Sequence, residues 1–206
     1  MEKKIKMLRK ISNYYIVFFS FFLFLTDNFA TEKKNFISIG NENAKVIVKV
    51  FSSLTCPYCA DFHKKIFYNL KEEFIDTNIL KFEHHSFPLD LAALNAEKVL
   101  RCIKDNKKRI DFLNELYKKQ DVWAAGSDIN SINSKLIKMA KNYDLNDVNI
   151  KSCLENENLE DEILNVRISG SKKYSITSTP TILINEKIYE GKYEYESFKK
   201  VIKKYF

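Results

Sequence analysis

Glycine and proline are scarce in this chain of 206 residues, at four and three respectively. So few turn-forming residues leave little room for elaborate loops and fit a largely helical protein. A basic stripe with interleaved aromatics is also missing. The lysines are scattered among acids, which argues against nucleic-acid binding. The formal charge of +7 overstates the field, because residues 1–30 hold five basic and two acidic residues and the remainder carries only +4. No internal repeat or long low-complexity tract breaks the chain. Cysteine is limited to four residues and tryptophan to one. What is present is a 45% hydrophobic composition in a chain long enough for one substantial core.

The N-terminus joins a basic cluster (Lys3, Lys4, Lys6, Arg9, Lys10) to an uncharged apolar run over residues 14–25, ended by Asp27. The run is shorter than the roughly 20 residues that cross a bilayer, so residues 1–30 read as a secretory signal peptide cleaved after Ala30. An uncleaved N-terminal anchor is the alternative, since Asn28 suits a cleavage site poorly. Either puts the rest of the chain outside the cytoplasm, where disulfides persist.

The chemistry concentrates at Cys56-Pro57-Tyr58-Cys59. The apolar run 46–51 precedes it and a helical pattern follows, so the motif lies at a strand-to-helix junction. There, unpaired backbone N–H groups and the helix dipole favour the Cys56 thiolate. Pro57 fits the first helical turn, where its missing N–H costs nothing. Cys59 lies close enough to attack a mixed disulfide formed at Cys56. A structural disulfide and half of a zinc site are the other uses of two cysteines this close.

Along the chain, residues 35–39 suit a short edge strand, 40–43 a turn, and 46–51 a strand covered on both faces. A helix is expected over 57–74 and a second central strand over 80–87, stopped by Pro88. Residues 89–165 read as helical almost throughout, in segments near 91–104, 109–119, 132–143, 147–154 and 160–174. Asp90 is the expected cap of the first. After Thr179-Pro180 come a β-branched strand, a turn at 185–187 and a second strand, then an amphipathic helix over 194–206. The fold class is α/β. Its divisions are the signal or anchor (1–30), two parts of one mixed domain (31–88 and 166–206) and an all-helical insertion (89–165).

Cys56-Pro57-Tyr58-Cys59, Thr179-Pro180 before a strand, and the helical insertion between them together resemble the thioredoxin-fold proteins of the periplasmic DsbA group, over residues 36–206. The resemblance implies a thioredoxin-like fold and a protein thiol:disulfide oxidoreductase. Cys56 would be the attacking nucleophile and Cys59 its buried partner. Pro180 would be a cis-proline facing them, and the Thr179 backbone would pair with an extended substrate chain. By the residues alone Pro180 is equally a strand-start proline. The reaction would introduce disulfides into reduced or misfolded secreted proteins, with a DsbB-type membrane protein as reoxidant and no cofactor beyond the Cys56–Cys59 disulfide itself. Tyr58 stands where the strong oxidase of the group has histidine, which implies a weaker oxidant. The strand position at which several relatives hold a buried acid falls on Lys49 or Val50, so the resemblance supplies no proton acceptor for Cys59.

Cys102 and Cys153 both fall in the insertion. In an oxidising compartment they most simply pair as a structural disulfide, and some members of the group carry an extra bond there. Two separate buried thiols are the alternative. His84 and His85 alternate across a strand, so at most one could join the two sulfurs and no metal site is expected. His63 reads as a surface or packing residue, and Tyr117 and Trp123 as packing residues. A disulfide isomerase or reductase on the same scaffold is the second reading of the chain. A metal-binding or chaperone-like module is the third.

Overall fold

The computed structural model describes residues 36–206, and the expected signal or anchor segment lies outside the described residues. Among the described residues, five strands form one mixed sheet in the order β1-β3-β2-β4-β5. These are β1 (Ile37–Gly40), β2 (Val46–Ser52), β3 (Leu80–Ser86), β4 (Thr181–Ile184) and β5 (Lys187–Ile188). β2 is central because its apolar residues suit both faces. It runs parallel to β3, with Val50 beside His84 and Ser52 beside Ser86, and antiparallel to β4. One face buries Val46, Val48, Val50 and Phe82 under Phe62, Phe67, Phe74 and Phe198. On the other face Phe51 packs with Phe87, Ile176 and Leu183.

The helix after β2, α1, starts as Pro57–Phe62 and continues to Ile75 through two π-helical turns, His63–Phe67 and Lys71–Ile75. Such turns insert a residue into the helical ladder and rotate the face that follows. His63, at the first of them, is buried, stacked on Phe67 and bonded to the Asn114 side chain at 2.7 Å.

Between β3 and β4 lie α2 (Leu91–Cys102), α3 (Asn106–Lys118), α4 (Gln120–Trp123), α5 (Ile129–Ala140), α6 (Asp147–Leu154) and α7 (Glu157–Tyr174). α8 (Tyr195–Ile202) closes the fold against the sheet. Three of these helices begin about three residues before the apolar periodicity does. Asp105, Asp128 and Asn156 cap their backbone N–H groups and recruit polar first turns that carry no periodic signal. Asp90 caps α2, accepting from the Ala93 N–H at 2.7 Å. α4 was not anticipated, and α7 runs unbroken across position 165. Gly170 of α7 lies against the Phe51 ring, where a Cβ would stand 2.5 Å from a ring carbon. The hairpin turn falls at Asn185 and Glu186, both with positive φ, which shortens β5 to two residues. Among the described residues, no helix is long and apolar enough to cross a membrane.

Candidate active site

Cys56 is the N-cap of α1, with an extended backbone and Pro57 as the first helical residue. Its carbonyl accepts from the Cys59 and Ala60 N–H groups at 3.0 and 3.2 Å, which fixes the first turn. The preceding loop is held from three sides. The Gln120 amide donates to the Leu54 and Cys56 carbonyls at 2.8 and 3.0 Å. The Thr55 hydroxyl donates to Asp90 at 2.7 Å, and the Leu89 N–H donates to the Ser53 hydroxyl at 3.3 Å. A sulfur at a helix N-terminus thus becomes a rigid one.

The two sulfurs are thiols, and their environments pull them apart. Cys56 is 6% exposed and Cys59 1%. The Cys59 thiol donates to the Cys56 sulfur, and this is the largest influence lowering the Cys56 pKa from 9.0 to about 5. Burial opposes the shift, while the Thr179 side chain and the backbone N–H groups of Cys59 and Tyr58 add to it. Burial is also what pushes Cys59 strongly upward, reinforced by its bond to Cys56 and the charge there. One thiol is poised as an anion and its neighbour is held neutral.

Thr179 and Pro180 face this pair from the loop before β4, joined by a cis peptide bond. The Thr179 carbonyl accepts from the Cys56 S–H at 3.4 Å, and the Tyr193 hydroxyl donates to the Pro180 carbonyl at 2.9 Å. The Thr179 hydroxyl is buried without a partner in the dithiol state, leaving a donor for the Cys56 thiolate. Beside them opens a cleft of about 310 Å³ lined by Tyr58, Phe62, Ile66, Thr179, Pro180 and Tyr193 among others. Tyr58 is 75% exposed at its rim. A reactive sulfur, an apolar cleft and a backbone edge therefore converge.

A family model described as thioredoxin matches residues 32–204. The chain belongs to the thioredoxin family. Its relatives include a protein of Rickettsia typhi named as a protein-disulfide oxidoreductase, 28% identical over 151 residues, or 73% of this chain and 55% of that protein. Disulfide bond formation protein D of Bacillus subtilis is 28% identical over 179 residues, 81% of this chain and 75% of that protein. The chain spans little more than half the length of the rickettsial relatives it matches. Among solved structures, α-DsbA1 of Wolbachia pipientis aligns with a TM-score of 0.75 at 26% identity, covering 83% of this chain and 90% of that one. BdbD of Bacillus subtilis aligns with 0.71 at 26% identity, covering 84% and 93%. The thioredoxin-like fold and the likeness to DsbA proteins thus agree with the reading from the motifs.

The remaining residues singled out from the sequence fall elsewhere. Cys102 ends α2 and Cys153 lies in α6; they form a disulfide with Cα atoms 6.3 Å apart. His84 meets Glu97 at 2.7 Å on one face of the sheet, while His85 meets Glu83 at 2.9 Å on the other, stacked between Phe36 and Phe51. Among the described residues, no cluster of three His, Cys, Asp or Glu side chains could hold a metal. Trp123 is buried, its indole donating to the Leu116 carbonyl at 2.8 Å. Val50 is buried and Lys49 is paired with Glu186, so neither supplies an acid beside Cys59. Gln120, Asp90 and Tyr193 escaped the sequence reading as site residues. Only Asp90, expected as a cap, had left a local signal.

Proposed function

We propose that this chain is an extracytoplasmic thiol:disulfide oxidoreductase that introduces disulfide bonds into secreted proteins by exchange at Cys56 and Cys59. The observation that carries this reading is the opposed character of the two sulfurs. A reduced substrate thiolate attacks the Cys56 sulfur of the Cys56–Cys59 disulfide, and Cys59 leaves and takes up a proton. The substrate's second thiolate then attacks the substrate sulfur of the mixed disulfide, and Cys56 leaves as a thiolate. Two electrons pass from the substrate thiols to the enzyme. A Cys56 pKa of about 5 makes that sulfur a good leaving group and stabilises the reduced enzyme, both of which drive oxidation of the substrate.

The apolar cleft beside Pro180, with the Thr179 backbone at its edge, suits an extended segment of unfolded chain. No cofactor beyond the cysteine pair is needed. The spent enzyme requires an external acceptor, and a DsbB-type membrane protein would serve. Residues 1–30 would deliver the chain across the membrane or tether it there. The name of the Bacillus subtilis relative, which specifies disulfide bond formation, supports the oxidising direction.

The deciding experiment is a redox titration in glutathione buffers, with Cys56 and Cys59 followed separately from Cys102 and Cys153 by thiol trapping and mass spectrometry. A potential near the roughly −120 mV of strong oxidants supports oxidation of substrates, and one near about −270 mV reverses the direction. Exchange that survives a Cys56→Ser change would sink the assignment itself.

A further inference from the structure

A substrate chain that meets Cys56 has to be held in one register, because a slip of one residue turns every side chain of an extended segment to the opposite face. Its thiol would then point away from the Cys56 sulfur. Thr179, before the cis-proline, brings backbone to that sulfur: its carbonyl accepts from the Cys56 S–H at 3.4 Å. The bond is lost when Cys56 ionises or joins another sulfur, which leaves the carbonyl open to a substrate N–H.

The carbonyls on either side of Thr179 are closed. The Thr181 hydroxyl donates to the Ser178 carbonyl at 2.7 Å, and the Tyr193 hydroxyl donates to the Pro180 carbonyl at 2.9 Å. Further along, the Ile182 carbonyl accepts from the Tyr189 N–H at 2.8 Å. Pro180 itself carries no N–H. Ser178 is exposed, so water would satisfy its carbonyl without Thr181. Tyr193 reaches Pro180 from the segment between β5 and α8, with its ring edge-on to Phe198 at 6.1 Å, and it also walls the cleft beside the cysteines. An open backbone edge pairs with any chain that meets it, and proteins close such edges. Here the closure leaves out the residue that faces Cys56.

We propose that the Thr181 and Tyr193 hydroxyls are register caps for the exchange reaction, a role that rests on the oxidoreductase reading above. They close the Ser178 and Pro180 carbonyls, so an incoming chain finds one acceptor in the cis-proline loop, that of Thr179. Pairing there lays the substrate cysteine against Cys56 and a neighbouring side chain in the cleft of about 310 Å³ beside Pro180. Pairing at either flanking carbonyl would shift the cysteine off the sulfur. Thr181 and Tyr193 are therefore positioning residues, which act through the substrate's backbone and not on the sulfurs. The substrate class that fits is a short extended segment of unfolded chain, because an edge with its flanking acceptors closed does not add a long strand.

The test uses the full chain with Cys59→Ala and the Cys102–Cys153 bond intact, which keeps a mixed disulfide at Cys56 because no second thiol resolves it. Short single-cysteine peptides, each N-methylated at one backbone nitrogen, are equilibrated with the glutathione adduct of Cys56. The peptide thiolate displaces glutathione thiolate with no net oxidation, and mass spectrometry reads the exchange constant. A methyl on the nitrogen that donates to Thr179 should lower that constant about three- to tenfold, the worth of one net hydrogen bond. Adding Tyr193→Phe, which keeps the ring, should make a second nitrogen sensitive, and adding Thr181→Val should do so at a different one. A purely structural cap would shift the melting temperature and leave the set of sensitive nitrogens unchanged. That result in either variant would overturn its cap, and a Cys59→Ala profile with no sensitive nitrogen would overturn both. If no mixed disulfide formed at Cys56, the exchange reading would fail first and the register caps with it.

Discussion

The lowered pKa of Cys56 can be measured directly, and its cause can be separated by substitution. With a pKa of about 5, Cys56 is about 99% thiolate at pH 7, against about 1% for a cysteine at the ordinary 9.0. Its iodoacetamide alkylation rate in the dithiol protein should therefore reach half its maximum near pH 5. Cys59→Ala removes the strongest donor to the thiolate, so it should raise that midpoint more than Thr179→Val does. The same shift predicts a pH dependence of stability. Between pH 5 and 9 the unfolded chain binds a proton at Cys56 that the folded chain has released. The dithiol form thus gains up to about 1.4 kcal/mol per pH unit over that window relative to the disulfide form. The gain is complete above pH 9 and is lost as pH falls through 5. Above about pH 9 the sign reverses, because the raised pKa of Cys59 makes the folded form the better proton binder. The assay is urea unfolding of both redox forms from pH 4 to 10, plotted as their difference. An alkylation midpoint at or above about pH 7, or a flat difference from pH 5 to 8, would refute the reasoning.

Three further perturbations test the frame around the site. Replacing Cys102 and Cys153 by alanine opens a loop with a sequence separation of 51, and chain entropy puts the loss near 4 kcal/mol; an unchanged urea midpoint would contradict it. Gly170→Ala drives a methyl into the Phe51 ring and should cost about 1–3 kcal/mol, seen as a lower melting temperature. Gln120→Ala removes both bonds to the Leu54 and Cys56 carbonyls and should destabilise by about 1–3 kcal/mol. Differential scanning calorimetry reads that loss, and no change would mean the loop is held by Thr55 and Ser53 alone.

Much of this arrangement was legible from local pattern. The run 46–51 could only be a strand buried on both faces, and Pro57 after Cys56 fixed where the helix starts. Thr179-Pro180 before Ile182 and Leu183 marked the return to the sheet. The partner of His63 was not legible, because Asn114 lies 51 positions away on α3; the side chain itself was read as surface or packing, and it packs. Nor was α4, whose four residues are too few to show a period. His84 and Glu97 gave no local hint of each other, since they lie 13 positions apart on different elements. Such polar pairs are set by register and helix docking, which a one-dimensional pattern does not encode.

The cysteine pair also sits in a place that the motif alone would not suggest. Both sulfurs pack into the cluster built from the helices between β3 and β4, with Leu113, Leu116 and Trp123, rather than into the sheet core under Phe82 and Phe198. Those helices also supply Gln120 to clamp the Cys56 loop, Asp90 to hold Thr55, Asn114 to fix His63 and Tyr117 beside Cys59. The sheet and α1 bring the Cys59 thiol, Thr179 and the first-turn N–H groups to the Cys56 sulfur, which together lower its pKa. The helical block supplies much of the dry packing around Cys59, whose burial raises its pKa. The opposed character of the two sulfurs therefore belongs to the junction between these parts. Changes in the block should move Cys59 before they move Cys56.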